Sequence, residues 1–161
     1  MKECIFCQIA KGKTPCHKIW EDKNFLAFLS IHPNTDGASV VIPKKHFKSD
    51  VFEMPDNDLK EFIVAIKKVA KLLDRSFEDV GRTALVFEGY GVDHAHAKLF
   101  PLHGTNMKNW VPILSGPEVN KYFKKYEGYV SSHSAERADD KELEKMAKKI
   151  NRVGKNSINL K

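Results

Sequence analysis

Two histidines and a lysine alternate with apolar residues in one short stretch of this sequence. His94, His96 and Lys98 occupy every second position of "DHAHAKLFP". In an extended strand alternate side chains share a face, so these three would project together at intervals of roughly 7 Å. Each of them can donate a hydrogen bond to a phosphate oxygen, so the pattern is typical of an anion-binding site. A solvent-exposed strand face with polar residues fits the same spacing.

A second candidate site lies near the N-terminus. Cys4 and Cys7 form a Cys-x-x-Cys pair, which can supply two thiolates to a tetrahedral zinc ion. Two imidazoles would complete the set, and His46 together with His94 or His96 could provide them. A reduced pair of cysteines without a metal fits this spacing as well. The total of three cysteines is odd and is not typical of a secreted disulfide framework.

Hydrophobic periodicity indicates the elements that must position these residues. Apolar residues at helical spacing after "MPDND" predict a long helix over 56–74. Shorter helices are expected at 117–126 and 139–152. Strands are expected at 17–22, 25–31, 39–43, 82–89 and 94–102. Strands linked mostly by hairpins, with one long helix inserted, predict an α+β fold with an antiparallel sheet of about five strands.

Length and charge limit the function further. The 161 residues, 42% of them hydrophobic, suffice for one domain with a sizeable core. We expect this domain at 1–110, with a C-terminal extension at 111–161 that packs on it and ends in ~10 disordered residues. The net charge of +6 is concentrated in residues 121–161, where a solvated helix explains it, so we expect no nucleic-acid partner. The sequence has no apolar run long enough to span a membrane, and we expect a soluble, cytoplasmic protein.

Three segments together resemble the histidine triad (HIT) family of nucleotide hydrolases and transferases. They are "CIFCQIAKGKTPCHKIWED", "FLAFLSIHPNTDGASVVIPKKH" and "HAHAKLFP", and they fall within residues 3–103. The resemblance implies a HIT-like fold and a nucleotide substrate. It also implies a homodimer in which the sheet continues across the interface.

The resemblance implies roles for individual residues. His96 corresponds to the family's nucleophile, which attacks the α-phosphorus of a nucleotide and forms a nucleotidyl-histidine intermediate. A neutral imidazole suits this step, because it is a good nucleophile near pH 7. A structural zinc ion would be held by Cys4, Cys7, His46 and His94. The implied activity is hydrolysis of a phosphoanhydride or phosphoramidate at the α-phosphate, as in a dinucleoside polyphosphate or a nucleoside phosphoramidate.

The sequence departs from the family at three of its site positions. Lys98 replaces the third histidine of the triad; it can steady a phosphate oxygen but transfers a proton poorly at neutral pH. Ser30 stands where the family often has an aspartate that binds ribose, and Phe87 stands where a polar side chain often lies near the phosphates. We take Ser30, Phe87 and Lys98 as candidate substrate-binding residues. A nucleotidyltransferase or phosphorylase, and a nucleotide-binding module without turnover, therefore stay open as alternatives.

Overall fold

An antiparallel sheet and one long helix carry the candidate residues in the computed structural model of this chain. The structure describes residues 4–114, 116, 119, 122–130, 137–141, 143, 144 and 146. The chain divides into two compact units, Met1–Val111 and Pro112–Lys161. Among the described residues, all the strands lie in the first unit.

The order of the five strands in the sheet differs from their order along the chain. They are β1 (Lys18–Glu21), β2 (Phe25–Leu29), β3 (Ser39–Pro43), β4 (Thr83–Val86) and β5 (Ala97–Pro101). Their order in the sheet is β1-β2-β3-β5-β4, with every neighbouring pair antiparallel. The last strand is therefore inserted between β3 and β4, and the predicted α+β architecture is confirmed.

Helices cover both faces of this sheet. The long helix α2 (Asp56–Ser76) begins after Pro55 and extends two residues beyond the predicted end. Its buried face packs on one side of the sheet through Phe62, Ala65, Ile66, Val69 and Leu73. A six-residue helix, α1 (Ile5–Ala10), which the sequence analysis did not predict, lies over the other side. There it covers Leu26, Phe28 and Ile42 with Phe6, Ile9 and Ala10.

The predicted strands 82–89 and 94–102 are both too long. β5 starts only at Ala97, which pairs with Val41 on β3. Two positions further in that register Ala95 would lie opposite Pro43, which has no amide hydrogen to donate to a ladder, and the amide of Ala95 donates to Phe47 in its place. β4 ends at Val86, and a loop follows in which Gly89 and Gly91 adopt φ of 74° and 94°. Such values favour glycine and turn the chain out of the sheet.

The second unit has little regular structure among its described residues. The helix predicted at 117–126 is absent from 122–126, and the described residues 140, 141, 143, 144 and 146 of the helix predicted at 139–152 are helical. Val119 lies in a 3-10 turn and Asp139 is not helical. The other parts of both ranges, and the final residues expected to be disordered, lie outside the described residues. The packing of the extension on the domain stays a prediction. Across the part of the chain that is described, no helix combines the length and apolar character needed to cross a bilayer.

Candidate metal centre and nucleophile site

Four side chains from three separate segments converge on one point. They are Cys4, Cys7, His46 and His94, and their ligand atoms all lie within 4.8 Å of one another. The first α-helical turn brings the two cysteines together, because Cys4 directly precedes α1 and Cys7 lies inside it. The structure thus brings together the four residues that the family resemblance nominated.

Four of the six distances between these donor atoms match the edges of a tetrahedral zinc site. The Nδ1 atom of His94 lies 3.6 Å from Sγ of Cys4 and 3.5 Å from Sγ of Cys7. The Nδ1 atom of His46 lies 3.4 Å from Sγ of Cys7 and 3.3 Å from Nδ1 of His94. Zinc bonds of about 2.3 Å to sulfur and about 2.0–2.1 Å to nitrogen give tetrahedral edges of about 3.3–3.8 Å. The residues present therefore fit a zinc ion.

His94 is held in the form that binds a metal. Its Nε2 donates a hydrogen bond of 2.8 Å to the carbonyl oxygen of Pro43, so Nδ1 is the nitrogen with the lone pair. The side chain is fully buried. Burial lowers the pKa of His94 below its usual value, because an apolar environment disfavours the charged imidazolium.

Two hydrogen bonds place the loop after β3 beside the segment that leads into β5. The amide of Ala95 donates to the carbonyl oxygen of Phe47 at 2.9 Å. The amide of Ser49 donates to Oδ1 of Asp93 at 3.0 Å, and this hydrogen bond lowers the pKa of the Asp93 carboxyl. Because these contacts flank the two histidine ligands in sequence, they fix the distance between them.

His96 has the tautomer of a nucleophile. Its side chain is 3% exposed, and Nδ1 donates a hydrogen bond of 2.7 Å to the carbonyl oxygen of His94. The lone pair is therefore on Nε2. The ring of Phe6 packs edge-on against His96 and His94, with centroids 5.4 and 5.9 Å away. Both imidazoles thus lie on the α1 side of the sheet, and neither belongs to an exposed strand face.

Lys98 lies farther along the same face. The register places it in one row across the sheet with Phe28, Val40 and Val86. Its ammonium group forms an ion pair with the carboxylate of Glu88. The Lys98 side chain is 36% exposed, whereas that of Glu88 is 9% exposed. The cation is therefore accessible, but a nearly buried anion lies beside it.

The other two candidate substrate-binding residues lie apart from each other. Ser30 directly follows β2, continues the alternation of Leu26 and Phe28 on the α1 side, and accepts a hydrogen bond at Oγ from the amide of His32. Phe87 packs toward α2, where its ring contacts Phe62 with centroids 5.8 Å apart. The structure therefore brings Ser30, but not Phe87, to the face that carries the histidines.

Sequence reasoning missed two residues of this region, Phe6 and Glu88. Phe6 is enclosed by the two cysteines in "CIFC", and its position between metal ligands was an overlooked signal. Glu88 lies two residues beyond Val86, the partner of Lys98 in the ladder. Alternation along the strand would have placed it near Lys98, but only once that register was known.

Glu88 also lines a cavity of about 390 Å³ between two loops. The lining residues are Ser49, Asp50, Val51, Phe52, Phe87, Glu88, Gly89 and Tyr90. Three are aromatic, two are acidic and none is a lysine, arginine or histidine. The cavity therefore has no positive side chain with which to bind an anion.

Comparisons with known proteins agree with this geometry. The model of the HIT domain matches residues 11–105. The adenosine 5'-monophosphoramidase of Schizosaccharomyces pombe is 38% identical over 102 residues, which are 61% of this chain and 73% of that protein.

Solved structures give the same result. A member of the HIT family from Bacillus subtilis superposes with a TM-score of 0.61 at 26% identity, over 94% of this chain and 96% of that one. A zinc-bound histidine triad family protein from Mycobacterium smegmatis superposes with a TM-score of 0.51 at 29% identity, over 65% of this chain and 78% of that one.

Proposed function

The chain belongs to the HIT domain family, and from this premise we propose that it hydrolyses nucleotides at the α-phosphate through a nucleotidyl-histidine intermediate. The substrate would be a nucleoside phosphoramidate or a dinucleoside polyphosphate. One observation carries the proposal. Nδ1 of the buried His96 donates its hydrogen to a backbone carbonyl oxygen, which leaves the lone pair of Nε2 as a nucleophile of fixed direction. The similarity to an adenosine 5'-monophosphoramidase supports the same activity.

The reaction would run in two displacements. Nε2 of His96 attacks the α-phosphorus, and the bond from phosphorus to the leaving nitrogen or oxygen breaks as the leaving group takes a proton from solvent water. Water then attacks the same phosphorus, which releases the nucleoside monophosphate and restores the imidazole. Lys98 would neutralise charge that develops on the phosphate oxygens. Ser30 would contact the ribose.

A zinc ion would bind to Cys4, Cys7, His46 and His94. With four protein ligands it has no open coordination position, so it would act as a structural cross-link and supply no catalytic chemistry. The backbone carbonyl that accepts from His94 is the kind of outer contact that orients a metal-bound imidazole. The zinc-bound relative supports this assignment. The homodimer implied by the family resemblance stays a prediction.

Lys98 favours one second candidate function. A lysine remains protonated at neutral pH, so it is a weaker proton donor than a histidine to the leaving group. An enzyme with this substitution could pass the nucleotidyl group to inorganic phosphate in place of water. The products would then include a nucleoside diphosphate.

Replacing the nucleophile tests the proposal. His96→Ala should lower turnover of adenosine phosphoramidate by a factor on the order of 10⁴ or more, because it removes the imidazole that forms the intermediate. The acid-labile nucleotidyl adduct, measured by intact-protein mass spectrometry, should vanish, while zinc content and thermal unfolding stay near those of the wild type.

His103→Ala is the matched control, because it removes an imidazole that hydrogen-bonds to Asp79 away from the cluster. Retained turnover in His96→Ala would refute the assignment. Repeating the assay with inorganic phosphate separates the two candidate functions, since a nucleoside diphosphate forms only in the transfer reaction.

A further inference from the structure

We propose that Glu88 makes the site at His96 select against substrates with several phosphates. It would do so as a positioning residue, by pairing with Lys98 and placing a negative charge beside the bound α-phosphate. This inference rests on the proposed function, because it takes His96 as the point where the phosphate binds. It adds to the proposed reaction one residue, Glu88, and a dependence of binding on the number of phosphates in the ligand.

The first support is the ion pair. The carboxylate of Glu88 contacts the ammonium of Lys98, and Lys98 lies on the same side of the sheet as His96, two residues along the chain. Paired charges largely cancel, so the site does not present the unopposed cation that an extended polyphosphate needs. The carboxylate also holds the flexible four-carbon side chain of Lys98 in one direction.

The second support is the burial of the carboxylate. The Glu88 side chain is only 9% exposed, so water screens its charge weakly. A buried negative charge acts over a longer range than an exposed one. It therefore repels any phosphate that extends past Lys98 toward it.

The third support comes from the cavity that Glu88 helps to line. That cavity holds a second carboxylate, Asp50, and three aromatic side chains, but none of its lining residues is cationic. The cavity thus places a second negative charge in the surroundings of the Glu88 carboxylate and no positive one, which strengthens the repulsion of a phosphate that approaches Glu88.

The size of the effect follows from Coulomb's law. A ligand that carries one more unit charge, on an added phosphate at about 7 Å from the Glu88 carboxylate, should bind more weakly. The loss is between about threefold and about fiftyfold, depending on the local dielectric constant. We take a change of about tenfold as the expected value. The sign matters more than the size, since removing the carboxylate should strengthen binding of the more highly charged ligand.

Binding measurements test this dependence on the number of phosphates without requiring turnover. Adenosine, AMP and ATP would be titrated by calorimetry into the zinc-loaded wild type, Glu88→Gln and Glu88→Asp. Glu88→Gln should raise the affinity for ATP relative to AMP by about tenfold and leave adenosine unchanged. Glu88→Asp keeps the charge and should retain the wild-type ratio. Glu21→Gln is the matched control, because Glu21 pairs with Lys18 and Lys44 on the opposite edge strand.

The outcomes separate this inference from the proposed function. A structural role for Glu88 would weaken all three ligands together, and that result, or an unchanged ratio of ATP to AMP affinity, would refute the inference. Turnover by the wild type with an unchanged ratio would refute the inference alone. A shifted ratio in a protein that forms no nucleotidyl adduct would refute only the proposed reaction. Absence of AMP binding by the wild type would refute both.

Discussion

His94 and Lys98 lie four residues apart on one face of the sheet, yet the structure treats them in opposite ways. His94 is fully buried, with one ring nitrogen on a carbonyl oxygen and the other among two thiols and a second imidazole. Lys98 is about one-third exposed, and its ammonium pairs with the carboxylate of Glu88. The comparison teaches that one short segment combines a buried anchor with a charge that a ligand can reach, and His96 lies between the two.

Removing the metal should have the largest effect and would test the anchor. A zinc ion at the four ligands should be present at about one per chain. Chelation, or Cys7→Ser, should lower the melting temperature by about 10 °C or more, because segments that are far apart in sequence lose their common cross-link. Elemental analysis and thermal unfolding measure both quantities.

Cys16→Ser provides the matched control for the metal. Cys16 packs beside the apolar cluster under α1 and is not one of the four converging residues. This variant should keep the zinc ion and lose at most a few degrees of thermal stability. A wild-type protein without zinc, with the same melting temperature as Cys7→Ser, would show that the cluster is not an anchor.

Substitution of Lys98 tests the accessible end. Lys98→Ala should lower kcat/KM for hydrolysis by about 10²–10³, the scale for losing one positioned donor to a developing charge. Lys98→His restores the family pattern and should keep or raise hydrolysis, whereas Lys98→Gln should favour transfer to inorganic phosphate. Rates would be measured with one nucleoside phosphoramidate and one dinucleoside polyphosphate.

The control for Lys98 is another paired lysine. Lys71→Ala removes a cation that pairs with Asp74 on α2 and should leave the rates unchanged. Equal rates for the wild type and Lys98→Ala on every substrate would show that this lysine has no part in the reaction. The comparison with His94 would then be one between a buried residue and an ordinary surface residue.

The smallest expected effect concerns His103, whose pKa is raised whereas that of His94 is lowered. Its Nε2 faces the carbonyl oxygen of Asp36 and its Nδ1 faces the carboxylate of Asp79, and these contacts raise the pKa of His103. The charged form is thus favoured in the fold, so its stabilisation is full below the usual pKa and disappears as pH rises through the raised one.

The expected result is a pH-dependent difference in melting temperature. His103→Asn should cost a few degrees at about pH 6 and almost nothing at about pH 9. Asp79, whose pKa the same contact lowers, contributes above its usual pKa and loses its contribution at strongly acidic pH. A difference that stays constant across this range would show that His103 is not charged in the folded protein.

Local patterns predicted the elements whose causes are local. The bounds of β3 were predicted correctly because a turn cluster precedes it and Pro43 ends it. The start of α2 was predicted because Pro55 and two aspartates mark its first turn. The failures have distant causes. β5 starts late because Pro43 lies opposite on another strand, and α1 is too short for its periodicity to stand out.

The candidate site divides in the same way. The metal ligands and His96 could be nominated from residue types in motifs, since zinc and phosphate chemistry restrict the residues that can serve. The pairing of Lys98 with Glu88 could not be nominated, because it depends on the register of β4 against β5. Phe87 was selected by its place in a motif, and its direction toward α2 follows from the end of β4 and not from the motif.

The distance along the chain between the cysteines and their buried histidine partner sets an order of events during synthesis. Cys4 precedes His94 by 90 residues, and a ribosome adds roughly 5–20 residues per second. The thiols are therefore synthesised roughly 5–20 s before His94. The meander of β1, β2 and β3 is complete in the nascent chain by then, and β5 enters the sheet last. The same late step that closes the sheet brings His94 to the cysteines and places His96, so a chain that stalls before it has neither a complete metal centre nor a nucleophile.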